Sequence, residues 1–215
     1  MTYAIAETFY TLQGEGYHAG TPAQFIRFAG CNVWSGRDED RDRDARRNGA
    51  HCPRFCDTDF VVKQRVRFDK LELAAPADVP LVVLTGGEPL LQVDQRLVDA
   101  LRERFPRALV AVETNGTCPL PCAIDWICVS PKVAVERLAL RSGDELKVVV
   151  PAYDPADYEA IADGFTHRWV SAEAQALDVG RSLLVGDVLR AAAEWTMAHP
   201  RWRMTVQTHK VIGLR

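Results

Sequence analysis

The chain has 215 residues, an apolar fraction of 47% and a formal net charge of −3. That length can supply the core of one α/β unit, the charge gives no electrostatic reason to expect nucleic acid, and no run approaches the roughly 18 apolar residues of a membrane span. Met1-Thr2-Tyr3-Ala4 is not a basic region followed by an apolar one, so no membrane or export step is expected and the cytoplasm is the expected compartment.

In chain order, short apolar runs predict strands at 24–28, 81–84, 109–112, 126–129, 146–150, 167–170 and 204–207. Most are continuous rather than alternating, the pattern of strands buried on both faces of a parallel sheet. Helical patterns follow at 91–104, 155–163 and 183–197. Strand followed by helix argues an α/β fold with right-handed crossovers. The repeat is eroded: between Glu113 and Trp126 the chain is too short for an ordinary crossover helix, and Pro119 and Pro121 oppose one. An incomplete barrel or an open curved sheet is expected. No linker divides the chain, so residues 1–215 are expected to form one domain. The segment 35–51 is nearly all charge of mixed sign from Arg37 to Asp44, and reads as an exposed loop or a short salt-laced helix.

Six cysteines, Cys31, Cys52, Cys56, Cys118, Cys122 and Cys128, occur in a chain with no export signal, which favours metal or catalytic use over disulfides. Cys128, inside Ile127-Cys128-Val129, reads as a small buried hydrophobe. Twenty residues separate Cys31 from Cys52 and three separate Cys52 from Cys56. Three thiolates on one loop past a strand can hold three irons of a [4Fe–4S] cluster and leave the fourth for a ligand. Cys52, Cys56, Cys118 and Cys122 could equally hold a structural zinc. Spacing alone leaves the two even.

The residues around the cysteines separate them. Phe9-Tyr10-Thr11-Leu12-Gln13-Gly14-Glu15-Gly16, Gly30-Cys31-Asn32-Val33-Trp34-Ser35-Gly36-Arg37 and Phe55-Cys56-Asp57-Thr58-Asp59-Phe60 resemble the 7-carboxy-7-deazaguanine synthases, a family of radical S-adenosylmethionine (SAM) enzymes. Thr85-Gly86-Gly87-Glu88-Pro89, after a strand and before a helix, resembles the SAM motif of that superfamily. The likeness runs from Glu7 to Lys210 and is weakest between Asp154 and Ala193. The general spacing is Cys-x3-Cys-x2-Cys, and some family members carry a longer first gap. Here the first gap is longer still and the second is x3, because Pro53 is added. Closure entropy grows slowly with loop length, but the extra residue at 53 is expected to bulge out of the cluster loop, 31–60.

The resemblance implies a modified, TIM-like (β/α)6 partial barrel with some helices missing, and no catalytic side chain beyond the cluster ligands. Cys31, Cys52 and Cys56 would hold a [4Fe–4S] cluster. Thr85, Gly86, Gly87, Glu88, Ser130, Lys132 and, in Gln175-Ala176-Leu177-Asp178, Gln175 would bind SAM. Backbone groups of the glycine pair and the Glu88 carboxylate would reach the methionine ammonium. Leu12, Gln13, Gly14, Glu15, Arg27, Glu113, Asn115 and His209 would bind 6-carboxy-5,6,7,8-tetrahydropterin, Arg27 gripping its carboxylate. Thr58 would help hold a substrate-bound Mg²⁺. The implied reaction is hydrogen abstraction from the pterin by a 5′-deoxyadenosyl radical, ring contraction and loss of ammonia, on the route to queuosine and other 7-deazapurines. A flavodoxin- or ferredoxin-type electron donor and a homodimer are implied as well. Two alternatives stay open at this point: a radical SAM glycyl-radical activase, which shares the cluster and Gly-Gly-Glu-Pro, and a zinc-stabilised, non-enzymatic binding module.

Overall fold

The computed structural model describes residues 1–172, 174–177, 181–184 and 186–214, with the backbone alone for 174–177 and 181–184. The strands are β1 (Tyr3–Leu12), β2 (Pro22–Phe28), β3 (Gln64–Val66), β4 (Leu81–Gly86), β5 (Leu109–Thr114), β6 (Trp126–Val129), β7 (Gly143–Val150), β8 (Phe165–Ala172), β9 (Ala174–Leu177), β10 (Arg181–Leu184) and β11 (Arg203–Thr205). The helices are α1 (Arg41–Asn48), α2 (Gln95–Arg104), α3 (Glu159–Ala162), α4 (Gly186–Ala198) and α5 (Thr208–Val211).

One sheet runs β11-β8-β7-β6-β5-β4-β2-β1-β3. From β2 to β11 every pairing is parallel, while β1 lies antiparallel to β2 and β3 antiparallel to β1. The parallel part holds seven strands rather than six. Its crossovers are uneven, as the sequence pattern implies. Helix α2 connects β4 to β5, α4 lies between β10 and β11, and a loop with Pro119 and Pro121 takes β5 directly to its parallel neighbour β6.

The strands bury both faces. On the outer face Ile26, Val82, Leu84 and Val112 pack under Leu97, Val98 and Leu101 of α2. Further along, Leu146, Val148 and Val170 pack with Ile161 and Ala162 of α3 and Ala192 of α4. On the inner face Ala23, Leu81, Val83 and Ala111 close one end of the barrel. The inner positions then become polar: Glu113 on β5, Lys147 on β7 and Ser171 on β8. The sheet curls far enough for the segment leaving β1 to reach β11. Gly16 N donates to Thr205 Oγ1 at 2.9 Å, and Thr208 N and Oγ1 donate to Gly14 O at 3.0 and 2.9 Å. The result is a partial barrel closed by side-chain and loop contacts instead of a ladder.

Several boundaries differ from the sequence pattern. β1 escapes notice because Glu7, Thr8 and Thr11 interrupt its apolar run. Leu183 and Leu184 are strand, so the helix expected from 183 begins at Gly186. The helix expected from 91 begins at Gln95, where Asp94 accepts Leu97 N at 2.8 Å, after a separate 3₁₀ turn at Pro89–Leu91. The segment 155–163 splits into a 3₁₀ turn and the single turn of α3.

The ends of β2 and β4 meet in a way only glycine permits. Gly87 N donates to Phe28 O at 3.2 Å and Glu88 N to Gly30 O at 2.9 Å. A β-carbon on Gly87 would lie 2.1 Å from Gly30 O and 2.9 Å from Cys31 Cβ. Gly87→Ala is therefore expected to destabilise the fold by about 1–3 kcal/mol, as overpacking does. At roughly 2–4 °C per kcal/mol for a chain of this size, thermal unfolding should show a loss of several degrees.

Candidate active site

The first cysteine follows from that strand contact. β2 ends at Phe28, and Cys31 emerges beside Gly87. Cys31, Cys52 and Cys56 line one cavity of about 240 Å³, together with Gly86, Gly87, Ser130 and Lys132. An adjoining cleft of about 990 Å³ is lined by Leu12, Gln13, Gly14, Arg27 and His209. Glu15, Asp57, Thr58, Thr85, Glu113, Lys147, Gln207 and Lys210 line both, so the two compartments adjoin and share this wall.

The cysteine loop is held from two sides. Tyr153 Oη accepts the amides of His51 and Cys52, both at 2.9 Å, and donates to Lys132 O at 2.8 Å. The extra residue at 53 does not bulge. Cys52 O accepts Phe55 N at 3.1 Å and Cys56 N at 2.8 Å, so residues 52–56 close into one helical turn. Side chains four apart on such a turn share a face, which keeps the two sulfurs on one side. Burial pushes the Cys52 thiol up to about 12 and raises that of Cys31 above its ordinary value. Both are neutral thiols at neutral pH in the metal-free chain, and binding of iron releases their protons.

No three His, Cys, Asp or Glu side chains among the described residues surround a single point closely enough for one metal ion. A four-cysteine zinc site is not assembled: Cys118 and Cys122 pack with the α2 core, Cys52 with the other. A [4Fe–4S] cube makes a different demand, since each thiolate takes a different corner. Three thiols converging on one cavity fit it.

Lys147, in the middle of the apolar strand β7, organises the wall. Its ammonium lies 2.9 Å from Glu15 Oε2 and 2.8 Å from Glu113 Oε2, and the residue is 6% exposed. Burial alone would raise the Glu15 carboxyl. The Lys147 charge, with hydrogen bonds from Lys147 and from Gln207 at 2.5 Å, outweighs burial and holds it at about 2. Burial likewise opposes the Lys147 charge, and its two carboxylates overcome this and keep it protonated. Gln13 Nε2 adds a bond to Glu113 Oε1 at 3.1 Å, and Gln13 Oε1 accepts Gly14 N at 2.7 Å. The Gln207 carbonyl oxygen is buried without a partner at the boundary of the two spaces. His209 sits so close to Gly14 that a β-carbon there would meet its Nδ1 at 1.9 Å. Burial lowers the His209 ring below its ordinary value, so it is neutral at pH 7. Lys132, lowered by burial, donates to Ser130 Oγ at 2.6 Å.

Two expected ligands are committed elsewhere. Glu88 is 0% exposed and lines neither compartment; its oxygens accept Leu90 N at 3.0 Å, Thr114 Oγ1 at 2.7 Å and Asn115 N at 2.8 Å. It ties the Gly-Gly loop to the end of β5. Asn115 lines the cysteine cavity rather than the cleft. Its side chain binds Asn32 Oδ1 at 3.0 Å and accepts Thr117 N at 2.9 Å. Arg27 lines the cleft with its Nε on Glu7 Oε1 at 2.8 Å. The side chain of Gln175 and Arg215 lie outside the described residues. Lys147, Tyr153 and Gln207 are the residues the sequence reading missed. A lysine inside Leu146-Lys147-Val148 was the one available signal, because a charge in a buried strand needs a partner.

Comparison with known proteins gives one answer. Curated 7-carboxy-7-deazaguanine synthases from Nitratidesulfovibrio vulgaris and Bradyrhizobium diazoefficiens are each 45% identical, over the whole of this chain and the whole of theirs. One from Bacteroides thetaiotaomicron is 39% identical over the same extent. The crystal structure of QueE from Escherichia coli matches with a TM-score of 0.63 and 26% identity, covering 97% of this chain and 95% of that one. No protein-family model matches the chain.

Removing the cation from between the two carboxylates should be costly. Lys147→Met is expected to lower stability by about 3–5 kcal/mol, as for one partner of a buried ion pair. The same group sets an acid limit. An unfolded Glu titrates near 4.3 and folded Glu15 near 2. Its contribution is complete above roughly pH 5 and is lost as pH falls toward about 2. Urea unfolding of the wild type should therefore show a falling free energy across that window, with a shallower slope in Lys147→Met.

Proposed function

The chain belongs to the 7-carboxy-7-deazaguanine synthase family, and we propose that it converts 6-carboxy-5,6,7,8-tetrahydropterin to 7-carboxy-7-deazaguanine with loss of ammonia. The observation that carries this reading is the pair of joined compartments, one with three thiols and a glycine cradle, the other with a guanidinium, amide and imidazole groups. A radical generated in the first would meet a substrate in the second where the two spaces join.

Cys31, Cys52 and Cys56 would hold three corners of a [4Fe–4S] cluster, leaving the fourth for the amino and carboxylate groups of SAM. When bound, cluster and SAM together supply a 5′-deoxyadenosyl radical, the hydrogen-atom abstractor that ring contraction requires. The Thr85-Gly86-Gly87 backbone, Ser130 and Lys132 line the SAM side. On the other side Arg27 supplies the fork for the pterin carboxylate. Glu15 and Glu113 accept the donor-rich pterin edge, with Leu12, Gln13, Gly14 and His209 completing the cleft. Ionised Glu15 is held ready by Lys147 and moves no proton at neutral pH. Thr58, on the shared wall, offers a hydroxyl to Mg²⁺ whose other ligands would be substrate oxygens and water. Gln175 is retained as a SAM contact on family grounds. So are a flavodoxin- or ferredoxin-type donor and a homodimer.

Anaerobically reconstituted protein, incubated with SAM, a strong reductant, Mg²⁺ and the carboxypterin, should yield 5′-deoxyadenosine and the deazapurine in step. Deoxyadenosine without deazapurine would instead favour a glycyl-radical activase or another substrate. Arg27→Ala should raise KM for the carboxypterin by about 10–100-fold, the loss of a charged hydrogen-bonding pair, and leave SAM binding unchanged.

A further inference from the structure

The longer spacing between the second and third cysteines creates a feature that a two-residue gap would not have. Residues 52–56 form a single helical turn, with Pro53 at its start, where a missing amide costs nothing. The carbonyls of such a turn have no intrahelical partner and need one elsewhere. Here Arg41 supplies it. Its Nη1 donates to Pro53 O at 2.6 Å and to Cys56 O at 3.2 Å, and its Nη2 donates to Cys56 O at 3.2 Å.

Arg41 is itself held firmly. Its Nε donates to Asp38 Oδ1 at 2.8 Å, and its guanidinium lies 4.2 Å from the centroid of the Trp34 ring. Trp34 is fixed in turn by a bond from its Nε1 to Arg37 O at 3.1 Å and by an edge contact with Phe60. Arg41 opens α1, the helix inside the long first gap. That helix is tied to the cysteine loop by Ser35 N on Asp44 Oδ2 at 2.9 Å and by Asn48 Nδ2 on Val33 O at 2.7 Å. It ends at Gly49 in the left-handed conformation, φ +57°. The two departures in cysteine spacing are therefore physically joined: the insertion in the first gap carries the side chain that caps the turn made by the second.

We propose that Arg41 is a positioning residue for the cluster: by capping the 52–56 turn it fixes the direction in which the Cys52 and Cys56 thiols point. Only a planar fork can serve two carbonyls and a carboxylate while stacked on a ring. This rests on the assignment of Cys31, Cys52 and Cys56 as cluster ligands.

The test uses the full chain, wild type and three variants, Arg41→Ala, Arg41→Lys and Arg54→Ala, each reconstituted anaerobically with iron and sulfide. Arg54 is a control from within the same turn: its half-exposed side chain bonds Asp42 and His51 and none of the turn's carbonyls. Three quantities are read: melting temperature of the metal-free chain, the electron paramagnetic resonance spectrum of the reduced cluster with and without SAM, and the rate at which air bleaches the visible absorption. Wild type and Arg54→Ala should agree in all three. Arg41→Ala should melt about 3–6 °C below wild type when metal-free, give an altered resonance spectrum, and bleach about tenfold faster, the cost of losing a charge-assisted cap. Arg41→Lys, which keeps the charge and the stem over Trp34, should remain defective. An Arg41→Ala protein with the wild-type spectrum and bleaching rate would overturn the proposal. So would full rescue by lysine, or a metal-free Arg41→Ala chain that no longer shows a cooperative thermal transition. A wild type that takes up no iron would instead bring down the cluster assignment itself.

Discussion

At the ends of β2 and β4 the backbone of Gly87 lies against the carbonyl of Gly30, closer than any β-carbon allows. That contact sets the rest of the site. It extends the parallel ladder by two hydrogen bonds past the end of β4, and Cys31 leaves the strand beside the glycine pair. Whatever binds the cysteines is thereby placed next to the loop that would cradle SAM. The glycines allow backbone to approach backbone; the approach to a ligand comes second. Glu88 serves the same contact from behind, fastening the loop to the end of β5 by accepting hydrogen bonds from Thr114 Oγ1 and Asn115 N.

The second organising element is electrostatic. A partial barrel with no ladder between its edges needs another way to bring the β1 end to β11, and the segment from Gln13 to Gly16 does this. Lys147 sits where the two halves meet and neutralises Glu15 from that segment and Glu113 from β5. A lone charge at such depth would be expelled or neutralised, so the three groups stand or fall together. They line both the thiol cavity and the cleft, so the network that closes the barrel also gives the cleft its charge.

Much of the frame was legible in the sequence, because continuous Val- and Leu-rich runs can hardly be anything but buried parallel strands. The missing helix between β5 and β6 was legible too, from chain length and two prolines. β1 was not, since Glu7, Thr8 and Thr11 hide its pattern. The end of β10 falls inside the helix expected from 183, because Leu183 and Leu184 suit either state. Motifs picked out the cysteines, the glycine pair, Glu15 and Arg27, which the fold gathers around two adjoining compartments, but could not say which motif side chains face inward. Glu88 lines neither compartment because buried donors at Leu90, Thr114 and Asn115 claim its oxygens, whereas Asn115 lines the cysteine cavity with its side chain bonded to Asn32 and Thr117. Lys147 and Tyr153 belong to no motif, and only the pairing of strands and loops distant in sequence reveals their work. The x3 gap looked like a defect along the chain and is a closed helical turn in space.

The central claim is that three thiols from one loop grip a single iron–sulfur cube beside Gly86 and Gly87. Iron, sulfide and zinc analysis of the anaerobically reconstituted chain tests it most directly, alongside single alanine variants at Cys31, Cys52 and Cys56. The account predicts about four irons and four sulfides per chain in the wild type, as a [4Fe–4S] cluster requires, and a collapse of both in each variant. Full iron retention in any of the three variants, or a colourless wild type carrying zinc, would contradict it.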